Sequence, residues 1–243
     1  MNIISQYQIE WKGNQYTNKS SRRGHAPSII VNHITEGSSD STISWFTSST
    51  NKVSSAHFLV SKVGRIYQFV KIEDSAWANG IRSSEYHRAT APIVQEKGVN
   101  PNWYSVSIEH EGIYRDTRGE LTKEQLAATI WLHGYIIDYV KKNWNVDMPA
   151  DRKHIIGHYE IDPVRKPFCP GEKYPFERII SALKDVSEIE LTDIKGHWAE
   201  PYIKRGVEAG LLNGYPDGSF RPNQYVTRAE LAAVMVKLLD LEK

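Results

Sequence analysis

The sequence has a single cysteine, Cys169, among 243 residues. One thiol excludes an intrachain disulfide, so Cys169 is a buried structural thiol, a metal ligand or a nucleophile. The sequence also lacks an excess of charge of one sign, because 30 Lys and Arg oppose 29 Asp and Glu. A net charge of +1 argues against a nucleic-acid binder that relies on a broad basic surface.

Long hydrophobic runs are missing as well. No stretch approaches the roughly 18 apolar residues that span a bilayer. Residues 1–16 contain Glu10 and other polar side chains where a secretory signal needs an unbroken apolar segment. We therefore expect no membrane span and no signal peptide, hence synthesis in the cytoplasm and another release route if the protein acts outside.

Aromatic residues, by contrast, are plentiful, with 7 Trp, 13 Tyr and 6 Phe. Apolar residues make up 40% of the chain and the mean hydropathy is −0.50. This composition is typical of a soluble globular protein and excludes a disordered chain. The length fits one large domain, or one medium domain with a small one.

The first part of the chain interleaves two kinds of pattern. Apolar or alternating segments predict strands at 28–34, 57–62, 65–70, 104–112 and 153–158. Helical spacing predicts helices at 41–51, 122–142 and 176–184, the second beginning with a capping box of Thr122 and Gln125. The expected fold is therefore α/β, a central mixed β-sheet flanked by helices.

The pattern changes after a short charged segment at 186–190, which we interpret as a linker. It separates a domain at 1–185 from a small all-α module at 191–243. In that module a helix is predicted over 197–212 with Trp198, Ile203, Val207 and Leu211 on one side, followed by a loop rich in Gly, Pro and Asn. Thr227 and Glu230 form a second capping box that begins the last helix.

The strongest chemical signal is the segment GHYEIDPVRKPFCPG at 157–171. His158 ends a predicted strand, and the prolines after it stiffen a loop that can return Cys169 to its side. Imidazole and thiolate are ligands that zinc prefers, and His33 in a predicted central strand is the best third candidate. His154 is the rival ligand. The residues alone also allow that the histidines are hydrogen-bonded core residues and that Cys169 is an inert thiol.

The segments IIVNHITEG, VSSAHFLVSKVGRIYQFV, AW, SVSIEHEG and GHYEIDPVRKPFCPG follow one another along the chain. In that order they resemble the zinc-dependent N-acetylmuramoyl-L-alanine amidases, a family similar to peptidoglycan recognition proteins and phage lysozyme-type amidases. The resemblance covers about residues 25–185. It implies the sheet-and-helix fold, a Zn²⁺ cofactor, and hydrolysis of the peptidoglycan amide between the lactyl group of N-acetylmuramic acid and L-alanine.

The resemblance also implies roles for individual residues. His33, His158 and Cys169 would bind zinc, Glu109 would be the catalytic acidic residue and Lys166 the catalytic lysine. In such a site zinc polarises the carbonyl, a carboxylate moves the proton of the attacking water, and an ammonium group stabilises the oxyanion. The alternatives are a solvated strand position for Glu109 and a surface charge for Lys166.

The sequence departs from the family in two places. Many relatives have a histidine after the tryptophan of the AW segment, whereas Ala78 and Asn79 follow Trp77 here. That position usually lines the substrate groove, so Trp77 and Asn79 are candidate substrate-binding residues and the glycan or peptide preference is in doubt. Cys169 also lies one residue further from its histidine than in relatives that use an aspartate ligand.

The C-terminal motifs DI-GHWA, GYPDGSFRPN and VTRAE resemble a single S-layer homology (SLH) repeat, covering about residues 191–241. The resemblance implies non-covalent attachment to a secondary cell-wall polysaccharide of Gram-positive bacteria. Trp198 offers a face for a sugar and Arg228 a partner for a carboxylate, unless Trp198 is core and Arg228 only binds its loop. Relatives carry three repeats, so we expect either a homotrimer or weak attachment.

Together these patterns predict a wall-lytic amidase with a wall anchor, of the phage or prophage endolysin type. One alternative is a non-catalytic peptidoglycan-binding protein of the same fold, against which the thiolate ligand argues. The other is a cytoplasmic amidase that recycles soluble muropeptides, which would have no use for a wall-binding repeat.

Overall fold

The computed structural model describes residues 7–187, 191–208, 211–215 and 218–241. The chain divides into a compact unit at 7–184 and a smaller unit from residue 185 onward. The predicted linker lies partly within a helix that continues to Ser187, and its residues 188–190 are outside the described residues.

The larger unit has eight strands: β1 (Ile9–Trp11), β2 (Lys19–Ser21), β3 (Ile29–Ile34), β4 (Phe58–Val60), β5 (Ile66–Gln68), β6 (Asp74–Ala76), β7 (Ser105–His110) and β8 (Ile155–Gly157). Six of them form one sheet in the order β1-β5-β4-β7-β3-β8, and β2 pairs with β6. Only β4 and β5 are antiparallel within the large sheet, so the sheet is mixed as predicted.

The helices of this unit are α1 (Ser39–Phe46), α2 (Pro92–Lys97), α3 (Tyr114–Thr117), α4 (Lys123–Trp144), α5 (His158–Ile161) and α6 (Phe176–Ser187). Three predictions of their bounds need correction. The helix predicted at 41–51 ends five residues early, α6 extends three residues beyond its predicted end, and His158 begins α5 rather than ending a strand.

The buried core lies at the centre of the sheet. All six residues of β3 are buried, as expected for a central parallel strand covered on both faces. Thr122 caps α4 by accepting the Gln125 backbone N–H, but the reciprocal half of the predicted capping box is absent. The Gln125 amide instead donates to the carbonyls of Val60 and Glu111, which attaches α4 to the sheet.

The smaller unit contains α7 (Glu200–Glu208) and α8 (Arg228–Leu241). Leu191, Ile194 and Ile203 form its buried core. The Thr227 and Glu230 capping box is confirmed, since each accepts the backbone N–H of the other. Trp198 was predicted to lie within a helix at 197–212, but α7 begins two residues after it, and Trp198 is 79% exposed. None of the helices in the described ranges is long and apolar enough to cross a bilayer.

Candidate metal centre and active site

Three side chains from distant parts of the chain meet at one end of the sheet. In the β3–β8 ladder Asn32 pairs with Gly157, so the next residues, His33 and His158, are neighbours. Their ring centroids are 4.5 Å apart. Cys169 Sγ lies 3.8 Å from His33 Nδ1 and accepts the backbone N–H of Ile34 at 3.5 Å.

The donor atoms of His33, His158 and Cys169 all lie within 4.8 Å of one another. Burial lowers the pKa of His33 well below its usual value and that of His158 to about 3, so both imidazoles are neutral and available as ligands. Burial also raises the pKa of the Cys169 thiol to about 12, and a dication would favour its thiolate. Two imidazoles and one sulfur fit a zinc site with three protein ligands.

Three further histidines, His154, His57 and His110, have hydrogen-bond partners of their own. His154, the predicted rival ligand, bonds through Nδ1 to Asp151 at 2.7 Å and lies outside the cluster. His57 contacts Arg22, and His110 contacts the His33 carbonyl oxygen and Tyr174. These contacts are those of hydrogen-bonded core or surface residues rather than of ligands to a metal at His33, His158 and Cys169.

Glu109 lies beside His33, His158 and Cys169, the candidate metal site, because of the register between strands β3 and β7. Parallel pairing of β3 and β7 sets Glu109 directly opposite His33. Its Oε2 atom is buried and has no hydrogen-bond partner among the described residues. Burial raises the pKa of Glu109 to about 7, although the positive charge of Lys166 acts in the opposite direction. A carboxyl group with a pKa near neutrality can both accept and return a proton.

Lys166 extends over the same cleft from the loop between α5 and Cys169. Its side chain is exposed, and its charge lowers the pKa of His33, His158 and Glu109. A charge that acts on all three groups lies near any substrate carbonyl held at the cluster. This position is compatible with stabilisation of an oxyanion.

The cleft that contains these groups has a volume of about 920 Å³. Trp77 lines it with 37% of its surface exposed and donates its indole N–H to Ser20. Trp45 of α1, 44% exposed, also lines the cleft and was not among the predicted site residues. No local sequence signal distinguishes Trp45 from its neighbour Phe46, which is buried in the core.

Asn79 does not line the cleft, contrary to the prediction that it contacts substrate. The side chain is fully buried and its amide nitrogen donates to the hydroxyls of Ser105 and Ser107. Asn102 fixes the local backbone by accepting the N–H groups of Ala78 and Asn79. This arrangement turns Asn79 toward the sheet rather than the solvent.

The candidate wall-binding residues belong to the smaller unit. The exposed face of Trp198 excludes the alternative that it is a core residue. Arg228 is the first residue of α8 and is also exposed. Their contact with a polysaccharide stays a prediction.

The fold is that of the amidase-like α/β proteins. The crystal structure of a selenomethionine derivative of AmpD is similar with a TM-score of 0.54 and 22% identity, over 72% of this chain and 94% of that chain. Residues 23–172 match the family model described as N-acetylmuramoyl-L-alanine amidase (Amidase_2). The chain therefore belongs to the N-acetylmuramoyl-L-alanine amidase family. Residues 190–232 match the S-layer homology domain.

Two curated relatives match different parts of the chain. The 1,6-anhydro-N-acetylmuramyl-L-alanine amidase AmpD of Haemophilus influenzae is 29% identical over 130 residues, which are 54% of this chain and 59% of that protein. The cellulosome-anchoring protein of Acetivibrio thermocellus is 45% identical over 51 residues, 21% of this chain and 11% of that protein. The chain thus spans less than two thirds of the length of either relative.

Proposed function

We propose that the protein is a zinc-dependent N-acetylmuramoyl-L-alanine amidase acting on peptidoglycan, with an SLH unit that attaches it to a wall polysaccharide. The observation that carries the proposal is the convergence of His33, His158 and Cys169 beside Glu109 in one cleft. The two family matches support the substrate and the anchor.

Zinc held by these three residues would supply Lewis-acid activation of the carbonyl and of water. Glu109 takes a proton from the attacking water and passes it to the leaving amine of L-alanine. Lys166 places its ammonium group near the oxygen that becomes negative. The products are the lactyl carboxylate of the sugar and a free peptide amine, and neither enzyme side chain is covalently modified.

The direct test is release of a dye from labelled cell walls, combined with an assay for new alanine amines. We expect amines but no new reducing sugar ends, because the bond cleaved is an amide. We also expect loss of the activity with a chelator and its return with added zinc, because zinc would activate both the water and the carbonyl. Binding to walls without release of amines would instead favour the non-catalytic alternative of the same fold.

The similarity to AmpD favours a second candidate, a recycling amidase that acts on soluble muropeptides. We expect removal of residues 189–243 to lower activity on intact walls while leaving hydrolysis of soluble muropeptides unchanged. The reason is that attachment raises the local concentration of enzyme at an insoluble substrate only. Arg228→Ala changes a candidate wall-binding residue in the full chain, so it tests the same expectation without a truncation. Equal losses on both substrates would remove this support for a wall-directed enzyme.

The endolysin role is part of the same proposal. An amidase attached to the wall would weaken the wall whether the enzyme reaches it from inside or from outside the cell. The homotrimer predicted from the single SLH repeat stays a prediction. Weak attachment through one repeat is its alternative.

A further inference from the structure

The side-chain amide of Asn79 is buried, and its hydrogen bonds determine which way the amide faces. Ser105 and Ser107 of β7 lie on the same face of that strand as Glu109, because side chains alternate along a strand. Their hydroxyls accept both amide hydrogens of Asn79, at 2.8 and 2.9 Å. The amide is planar, so its side-chain oxygen faces away from these serines.

Two atoms of this region are among the buried polar side-chain atoms of the described residues that have no hydrogen-bond partner. One is Oδ1 of Asn79 and the other is Nε2 of His33. Buried polar groups are rarely left without a partner. Asn79 also lies close enough to His33 to raise the pKa of the ring, against the larger lowering by burial.

Nδ1, the other ring nitrogen of His33, faces the candidate metal site, since it lies 3.8 Å from Cys169 Sγ. A neutral imidazole carries one proton, so a free lone pair on Nδ1 requires the proton on Nε2. Histidine ligands usually donate this second N–H to an oxygen nearby, which fixes the ring for the metal.

We propose that Asn79 is a positioning residue: its side-chain oxygen accepts the Nε2–H proton of His33 and holds the ring in the tautomer whose Nδ1 can bind a metal. This inference rests on the proposed zinc site. It replaces the role in substrate binding that the sequence predicted for Asn79, and it assigns a function to the residue pair Ser105 and Ser107, which orient the amide.

The first test is the tautomer of His33 in metal-free wild-type protein, read from the ¹⁵N chemical shifts of its ring by long-range ¹H–¹⁵N spectra. Protonated Nε2 is the expected result. Protonated Nδ1 would mean that the Asn79 amide is turned over, and would overturn the proposal without any variant or bound metal.

The second test is zinc affinity, measured by competition with a chromogenic chelator. We expect Asn79→Ala to weaken zinc binding about 10- to 100-fold, as loss of an outer partner of a histidine ligand does. Asn79→Asp keeps an acceptor oxygen and should restore most of the affinity. An unchanged affinity in the alanine variant, or an equal loss in both variants, would contradict the proposal.

The matched control is Asn51→Ala, because Asn51 is equally buried but its hydrogen bonds go to Trp45, Val53 and Ser54. It should lower the melting temperature without changing zinc affinity or the His33 shifts. Failure of wild-type protein to bind zinc would refute the proposed function instead, while the tautomer measurement would still decide the role of Asn79.

Discussion

Glu109→Gln is expected to lower the rate of amide hydrolysis by about 10²- to 10⁴-fold, the usual contribution of a general base. Glutamine has nearly the same shape but cannot accept the proton of the attacking water. Since Glu109 is not one of the three residues of the candidate metal site, the zinc content should stay at the wild-type value. Turnover by purified protein and elemental analysis of the same sample measure the two quantities.

Glu111→Gln is the matched control for this variant. Glu111 lies two residues further along, outside the residues that line the cleft, and its carboxylate accepts from Ser39 at 2.7 Å and from the Lys62 N–H at 2.9 Å. These bonds hold its pKa below the usual value, although burial acts to raise it. Activity near the wild-type level in Glu109→Gln would exclude Glu109 as the base.

The raised pKa of Glu109 also makes the stability of the folded protein depend on pH. Burial moves the pKa from 4.5 to about 7, so the folded protein holds this proton more tightly than the unfolded chain does. The stability contribution is therefore complete below pH 4.5 and falls as the pH rises to about 7. At pH 8, Glu109→Gln should stabilise the metal-free protein by about 1–2 kcal/mol, allowing for partial solvent screening. Urea unfolding at pH 5 and pH 8 measures the difference.

Local patterns predicted the fold and some of its caps. The buried strand at β3, the neighbouring strands β4 and β5, and the caps at Thr122 and Thr227 each depend on residues within a few positions. The convergence of His33 and Cys169, 136 residues apart, does not follow from spacing. Residue chemistry made both of them candidate ligands, but their meeting was implied by the resemblance of whole segments to a family, since the sheet order that joins them is a long-range property.

Two of the wrong predictions have a common physical origin. Asn79 follows an exposed tryptophan, and nothing nearby in the sequence indicates that two serines of β7 bind its amide. Gln125 has the spacing of a capping residue, but two carbonyls of the sheet compete successfully for its amide. In both cases a tertiary partner decides the direction of a polar side chain. Sequence patterns therefore predict which residues are near a site better than they predict which way those residues face.

Cys169→Ala should remove most of the bound zinc and, with it, the hydrolytic activity. Loss of an outer partner alone weakens zinc binding about 10- to 100-fold, so loss of a ligand should cost at least the upper part of that range. Added zinc should raise the melting temperature of wild-type protein but not that of the variant, because only a ligand that binds the folded state stabilises it. Val164→Ala is the control, since Val164 lies in the same loop, is 61% exposed and is not part of the candidate metal site.

The pH dependence of zinc binding distinguishes a thiolate ligand from a nearby thiol. Burial raises the pKa of Cys169 to about 12 in the metal-free protein, so zinc must displace the thiol proton when it binds. Both imidazoles are already neutral near pH 7 and release none. Above about pH 8, where Glu109 is already ionised, one proton released per zinc makes the apparent affinity rise about tenfold per pH unit. Calorimetry in buffers of different ionisation enthalpy counts that proton. A count near zero in wild-type protein, or the same count in Cys169→Ala, would show that the sulfur does not bind the metal.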